Sequence, residues 1–249
     1  MLKNKVALIT GSASGIGRAT ALLLSREGAK VVVSDLDAAH GEETVRLIRA
    51  QGASAFFVPC DVGQPAQSQQ LVDKAVQHFG RLDVACNNAG IGGALALTAD
   101  YTQEAWKQVI DINLSGVFFG MQAQIKAMLK SGGGSVINIS SILGKVGSPL
   151  SPAYSAAKHG VIGLTETAAW EYGKQGIRIN AVGPGYIHTP MLRDLENNPS
   201  AQAHIEAAHA MGRMGRPEEV AEMICWLASD RASFVTGAYF PVDGGYLAR

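Results

Sequence analysis

Val6-Ala7-Leu8-Ile9 runs without a polar interruption into Thr10-Gly11-Ser12-Ala13-Ser14-Gly15-Ile16-Gly17, and a helical pattern follows from Arg18 to Glu27. No other stretch constrains the fold as much. A short, wholly apolar run fits a strand covered on both faces, as in a parallel sheet, and parallel strands need crossover connections between them. The turn constrains chemistry as well. Backbone N–H groups at the start of a helix point outward, the helix dipole favours an anion, and missing Cβ atoms let a phosphate come close. The glycine spacing is four then two, so the commoner dinucleotide fingerprint is matched in mechanism but not in letters. A tight turn without a ligand is the plain alternative. Three glycines in one turn favour a cofactor, with Gly11, Ser14, Gly15, Ile16 and Gly17 around its pyrophosphate.

The βα alternation continues along the chain. Val31-Val32-Val33-Ser34 reads as a second strand ending at Asp35. An acidic residue about 20 positions beyond the glycine turn accepts from a ribose 2′-hydroxyl. Its charge would repel a 2′-phosphate, and neither Ser14 nor Leu36 supplies a compensating cation, which points to NAD over NADP. Asp35 could instead cap the next helix, a job Asp37 would do equally well. After a helix over 38–51 and a strand over 55–58, Asp61 could accept from an adenine amino group, cap the helix of residues 65–79, or do both. A strand over 82–86 leads into Asn87-Asn88-Ala89-Gly90, at the strand end where open α/β sheets bind ligands. The two asparagines contact a ligand or brace the loop.

An apolar loop, Ile91 to Tyr101, reads as pocket wall, and a long helix is expected over 102–130. Asn113 sits within it, where asparagine is a mediocre helix former; it bends the helix or binds water. Ser135 to Ile139 forms a fifth strand running into Ser140-Ser141, and the helix bearing Tyr154 and Lys158 runs to about 174. A sixth strand over 178–182 closes on Gly183-Pro184-Gly185. Residues 186–212 read as a mobile, substrate-covering segment, followed by a helix opened by Pro217 and a last strand over 238–242. The expected architecture is α/β: a single-domain, Rossmann-like, doubly wound parallel sheet of about seven strands with helices on both faces.

Lys+Arg and Asp+Glu are both 21, which gives no reason to propose nucleic acid or an acidic membrane as partner. Cys60, Cys86 and Cys225 stand far apart and read as reduced, buried thiols of a cytosolic protein; no Cys/His cluster has zinc spacing, so no metal is expected. The N-terminus leads into a strand without a signal-peptide core, and no apolar run approaches the ~20 residues that span a bilayer. The expectation is a soluble, cytoplasmic protein.

Tyr154 and Lys158 lie one helical turn apart on one face. A free phenol titrates near ~10 and an ammonium near ~10.4. A cation beside the phenol favours phenolate, so the tyrosine is expected to titrate lower and to exchange a proton with an alcohol or ketone. Alone, the pair decorates many surface helices.

In combination, TGSASGIG at 10–17, Asp61, NNAG at 87–90, Asn113, Ser141, YSAAK at 154–158 and PG at 184–185 make the sequence resemble the short-chain dehydrogenase/reductase family over nearly its whole length. The resemblance implies that Tyr154 handles the proton at the substrate oxygen. Lys158 would lower its pKa and hold the nicotinamide ribose. Ser141, second of its pair, would hydrogen-bond the same oxygen, with Ser140 a neighbour, and Asn113 would place a relay water. Ile187 and Thr189 would serve the carboxamide and pyrophosphate region. Leu36, Val62, Asn88, Ala89, Gly90, Pro184 and Gly185 would complete the cofactor cleft. Hydride would pass between the nicotinamide and the carbonyl carbon. A homotetramer is also implied, built on the 102–130 and 154–174 helices; Gly160, Gly163, Ala168, Ala169 and Trp170 form its outer stripe or belong to the core.

The expected function is therefore an NAD(H)-dependent oxidoreductase acting on a secondary alcohol/ketone pair. Apolar walls, including Leu95, Leu150 and Leu192, point to an uncharged cyclic or aryl-alkyl substrate touching Ser141, Leu143, Tyr154, Tyr186 and Met191. Reduction of 3-oxoacyl thioesters is the alternative, disfavoured by Asp35 because that role typically uses NADPH. A non-catalytic cofactor-binding regulator is a third reading, disfavoured because Asn113, Ser141, Tyr154 and Lys158 are all present. His159 and His188 read as structural or pocket residues.

Overall fold

The computed structural model describes residues 1–248. Seven strands form one sheet in the order β3-β2-β1-β4-β5-β6-β7, and all six neighbouring pairs are parallel. They are β1 Val6–Thr10, β2 Lys30–Asp35, β3 Ala55–Pro59, β4 Val84–Asn87, β5 Gly134–Ile139, β6 Ile177–Pro184 and β7 Tyr239–Val242. The sheet builds outward from β1 to β3, then restarts beside β1 and builds the other way. That reversal opens a crevice at the carboxyl ends of β1 and β4.

Helices α1 Gly15–Arg26, α2 Ala38–Ala50 and α9 Pro217–Ala228 cover one face; α3 Pro65–Phe79, α5 Gly116–Ser131 and α6 Pro152–Tyr172 cover the other. Side chains alternate between the two cores. Ala7, Ile9, Val31 and Val33 pack with Leu24, Ile48 and Ile224. Val6, Leu8 and Val32 pack with Leu71, Met128 and Val161. With both faces covered, strand positions are mostly apolar, and the buried polar side chains among them, such as Asn87 and Asn138, are hydrogen-bonded to each other. Each fully buried aliphatic side chain stabilises the fold by roughly 1.5–3 kcal/mol.

Several sequence expectations shift in detail. The fourth strand begins at Val84, because the Asp83 carboxylate accepts from the Val6 N–H at 2.8 Å and from Arg81. The helix expected over 102–130 is two, α4 Gln103–Ile110 and α5, joined by a π-helical turn at Asp111–Ser115 that carries Asn113. Asp37, not Asp35, caps α2, accepting from the His40 N–H. Gln64, not Asp61, is the N-cap of α3, so the capping reading of Asp61 falls. Of the expected outer stripe, Ala168 and Ala169 are core residues, while Trp170 is 92% exposed. The 186–212 stretch folds into a short turn and two short helices, α7 Arg193–Glu196 and α8 Pro199–Ala207. Cys60, Cys86 and Cys225 are free and buried. Among the described residues, no helix is long and apolar enough to cross a membrane.

Candidate active site

The glycine turn lies at the carboxyl end of β1. Gly11 and Gly15 have φ of +63° and +51°, in the left-handed region that side chains avoid. A Cβ at Gly17 would overlap the Gly11 carbonyl oxygen and stand 2.6 Å from the Asn88 amide nitrogen. Ser14, at the N-cap of α1, makes no side-chain capping bond, and the first turn holds no acidic residue. The first N–H groups of α1 are therefore left for an anion. A dinucleotide pyrophosphate fits this cradle, and the Thr189 methyl lies beside it, 3.1 Å from where a Gly15 Cβ would be.

Asn88 braces the turn: its Nδ2 donates to the carbonyls of Thr10 and Gly11, both at 3.0 Å. The Thr10 hydroxyl accepts from the N–H groups of Asn88 and Ala89, each at 3.1 Å. Asn87 turns into the core, donating to Gln124 and Asn138 and accepting from Gln124. The bracing role weighed for the asparagines is the one this geometry adopts. Asp35 accepts from the Ala13 N–H at 2.9 Å and from the Asp37 N–H at 3.1 Å, which sets its carboxylate beside the turn, and Leu36 next to it is exposed. Asp61 accepts from the Gly63 N–H, and Val62 packs against Gly116.

The reactive side chains converge from three places: the π-helical turn with Asn113, α6 with Tyr154 and Lys158, and the end of β5 with Ser141. Asn113 holds the backbone of Ile91 through two bonds of 2.8 Å, Oδ1 accepting from its N–H and Nδ2 donating to its carbonyl. Opposite it, Lys158 Nζ donates to the Ile139 carbonyl at 2.8 Å and sits 5.5 Å from the centre of the Tyr154 ring. Gly90 lies between them: a Cβ there would be 3.2 Å from Asn113 Oδ1 and 3.7 Å from Lys158 Nζ. Ser141 follows β5, and its Oγ accepts from the Leu143 N–H and hydrogen-bonds Tyr154. Ser140 Oγ donates to the Lys158 carbonyl at 2.9 Å, tying β5 to α6, as suits a neighbour of the site.

Tyr239 on β7 donates its hydroxyl to the Ser141 carbonyl at 2.9 Å. Sequence reasoning missed it, since an aromatic on the last strand reads as core. Thr10 was missed as well, although a hydroxyl residue closing a strand before a glycine turn is a usable signal. Pro184 and Ile187 are buried, Leu143 and Tyr186 half-buried, and Met191 exposed. His188 Nδ1 pairs with Glu196 at 3.3 Å and His159 Nδ1 bonds the Ser155 carbonyl. Among the described residues, no group of His, Cys, Asp and Glu is placed to hold a metal ion.

One expectation is corrected. Tyr154 titrates above the ordinary phenol value, because burial raises it more than the Ser141 hydrogen bond lowers it, with Tyr186 raising it further. Lys158 is pushed down to about 8 by burial. The ammonium lies over the ring and is bonded to Ile139 rather than to the phenol oxygen, so desolvation wins over the attraction that the helical spacing suggested.

A family model described as enoyl-(acyl carrier protein) reductase matches residues 11–247. The chain is 46% identical over 246 residues to the cyclohexanol dehydrogenase of Acinetobacter sp. (strain SE19), across 99% of this chain and 96% of that one. Among solved structures it resembles levodione reductase, with a TM-score of 0.97 at 39% identity over 100% of this chain and 99% of the other. It also resembles a proposed 2-deoxy-D-gluconate 3-dehydrogenase from Agrobacterium tumefaciens with bound NADP, with a TM-score of 0.92 at 36% identity over 100% and 98%.

Proposed function

The chain belongs to the short-chain dehydrogenase/reductase family, and we propose that it interconverts a cyclic secondary alcohol and its ketone using NAD(H). The observation that carries this is the convergence of Ser141, Tyr154, Lys158 and Asn113 beside a glycine turn left open to a pyrophosphate. The dinucleotide, when bound, supplies or accepts the hydride. Tyr154 passes a proton to or from the substrate oxygen. Ser141 hydrogen-bonds the same oxygen and fixes its direction, which matters because proton and hydride must move in one geometry. The Lys158 ammonium stabilises negative charge as it develops on the phenol oxygen, an effect strengthened by the surrounding apolar atoms. Asn113 holds the Ile91 backbone and so shapes the wall next to Lys158, where a relay water would bind.

The Asp35 carboxylate, drawn over the turn by Ala13, supports NAD over NADP. Tyr186 near Tyr154, with the apolar side chains of Leu143 and Met191 as further candidate wall, supports an uncharged ring as substrate, in keeping with the relationship to a cyclohexanol dehydrogenase. Residues 186–212 would cover it. The exposed Trp170 and Phe234 support a homotetramer, to be checked by light scattering, and three buried free thiols support a cytoplasmic setting. Initial rates on cyclohexanol, open-chain secondary alcohols, sugars and acyl thioesters with both cofactors test the proposal. Turnover of cyclohexanol with NAD upholds it; activity restricted to charged sugars, or to thioesters with NADPH, overturns it.

A further inference from the structure

His209 stands two residues beyond α8, where the 186–212 segment meets the turn after β6, and it is 4% exposed. A neutral imidazole offers one donor and one acceptor. Nδ1 lies 2.8 Å from the Ile205 carbonyl, which can only accept, so Nδ1 carries the proton. Nε2 is then bare, and it accepts from the Tyr186 N–H at 3.3 Å. The two partners together select one tautomer. Gly185 is what lets the ring approach the backbone this closely, since a Cβ there would lie 2.9 Å from Nε2.

The rings pack as well as the polar atoms. His209 meets Tyr186 edge-on, with centroids 5.8 Å apart at 81°, and meets Tyr246 at 5.6 Å. Tyr186 and Tyr246 are 6.0 Å apart. The first of these is the edge-to-face arrangement that aromatic pairs favour, and the other two are tilted contacts. The Tyr186 ring stands within electrostatic reach of the Tyr154 hydroxyl. A cavity of about 110 Å³ opens beside this group, lined also by Ile187, Met211 and Asp243. A purely apolar residue at 209 would fill the space but leave the Tyr186 N–H without this acceptor.

We infer that His209 is a positioning residue that holds the backbone and ring of Tyr186, so that Tyr186 presents a flat wall to a cyclic substrate beside Tyr154. The selectivity for rings rests on the cyclic-alcohol proposal; the hold on Tyr186 does not. A shape wall of this kind discriminates between substrates rather than accelerating all of them.

The test compares two variants. His209→Gln keeps an acceptor near the position of Nε2, whereas His209→Phe keeps the ring and loses the acceptor. For His209→Phe, kcat/KM with cyclohexanone should fall about tenfold or more, chiefly through KM, while open-chain 2-hexanone changes less than about threefold. His209→Gln should stay within about threefold of wild type on both ketones. NADH affinity, read by fluorescence, should be unchanged in both. An unchanged cyclohexanone-to-2-hexanone ratio in His209→Phe, or equal losses in the two variants, overturns the inference. Should His209→Phe not be recovered folded, His209→Leu replaces it: Leu and Gln both lack the ring, so the difference between them still isolates the acceptor. A wild type that reduces neither ketone sinks the proposed function instead. The positioning claim is then decided by a crystal structure of the variant: Tyr186 displaced upholds it, and Tyr186 in its wild-type place overturns it.

Discussion

Lys158→Met should make the protein more stable at neutral pH while abolishing turnover. The native fold buries Lys158 to 3% exposure and bonds Nζ to the Ile139 carbonyl at 2.8 Å. Burial brings its pKa from 10.5 down to about 8. Below pH 8 the lysine is charged in both the native and the unfolded chain, and the native state carries the whole desolvation cost. Between pH 8 and 10.5 the native chain sheds the proton while the unfolded chain keeps it, so stability rises with pH across that window. At 1.36 kcal/mol per pH unit the cost at neutral pH is about 3 kcal/mol. Methionine removes it but leaves the Ile139 carbonyl without this donor, a loss of about 1–2 kcal/mol. The net expectation is a gain of about 1–2 kcal/mol at pH 7, or about 2–8 °C in Tm for a chain of this length. Urea unfolding of wild type and variant at pH 7, 9 and 10.5 measures this, with turnover read in parallel. The advantage should shrink as pH rises above about 8, vanish at about pH 9 and reverse to about 1–2 kcal/mol in favour of wild type by about pH 10.5. A variant destabilised at pH 7, or a difference that does not depend on pH, would refute the reasoning.

Tyr154→Phe should lower turnover by about 10²–10⁴-fold, the range expected for losing a positioned acid/base, with dinucleotide affinity unchanged by titration calorimetry; residual activity near wild type would remove Tyr154 from the mechanism. Gly17→Ala places a methyl on the Gly11 carbonyl and against the Asn88 amide, and should weaken dinucleotide binding about tenfold or more, since both groups shape the phosphate cradle. A folded variant with wild-type affinity would count against that assignment. Asp35→Ser removes the charge facing a 2′-phosphate and should move the NADP-to-NAD ratio of kcat/KM upward by about tenfold or more; a ratio that stays put would mean Asp35 does not set cofactor choice.

The glycine turn was legible because its chemistry is local: an apolar run, left-handed glycines at 11 and 15, and a helix start uncapped at Ser14 are visible within twelve residues. The seven strands were legible for a related reason, since burial on both faces favours short, mostly apolar runs. Element edges were less so. The fourth strand starts late, at Val84, where the Asp83 carboxylate bonds Val6, 77 residues away, and the π-turn at Asn113 depends on the backbone of Ile91. Among the candidate site residues, Asn88 was weighed as either contacting a ligand or bracing the loop, and only the fold showed that its amide grips the glycine turn.

The sequence alone determined which residue types stand at strand ends and how Tyr154 and Lys158 share a helix face, because both follow from backbone periods of two and 3.6. Tertiary structure decided the rest. Sheet order brought β4, β5 and β7 together so that Asn113, Lys158, Ser141 and Tyr239 meet. Packing also set the sign of the shifts on Tyr154 and Lys158. Desolvation depends on atoms contributed by chain segments far apart in sequence, and a spacing of four residues carries no information about them.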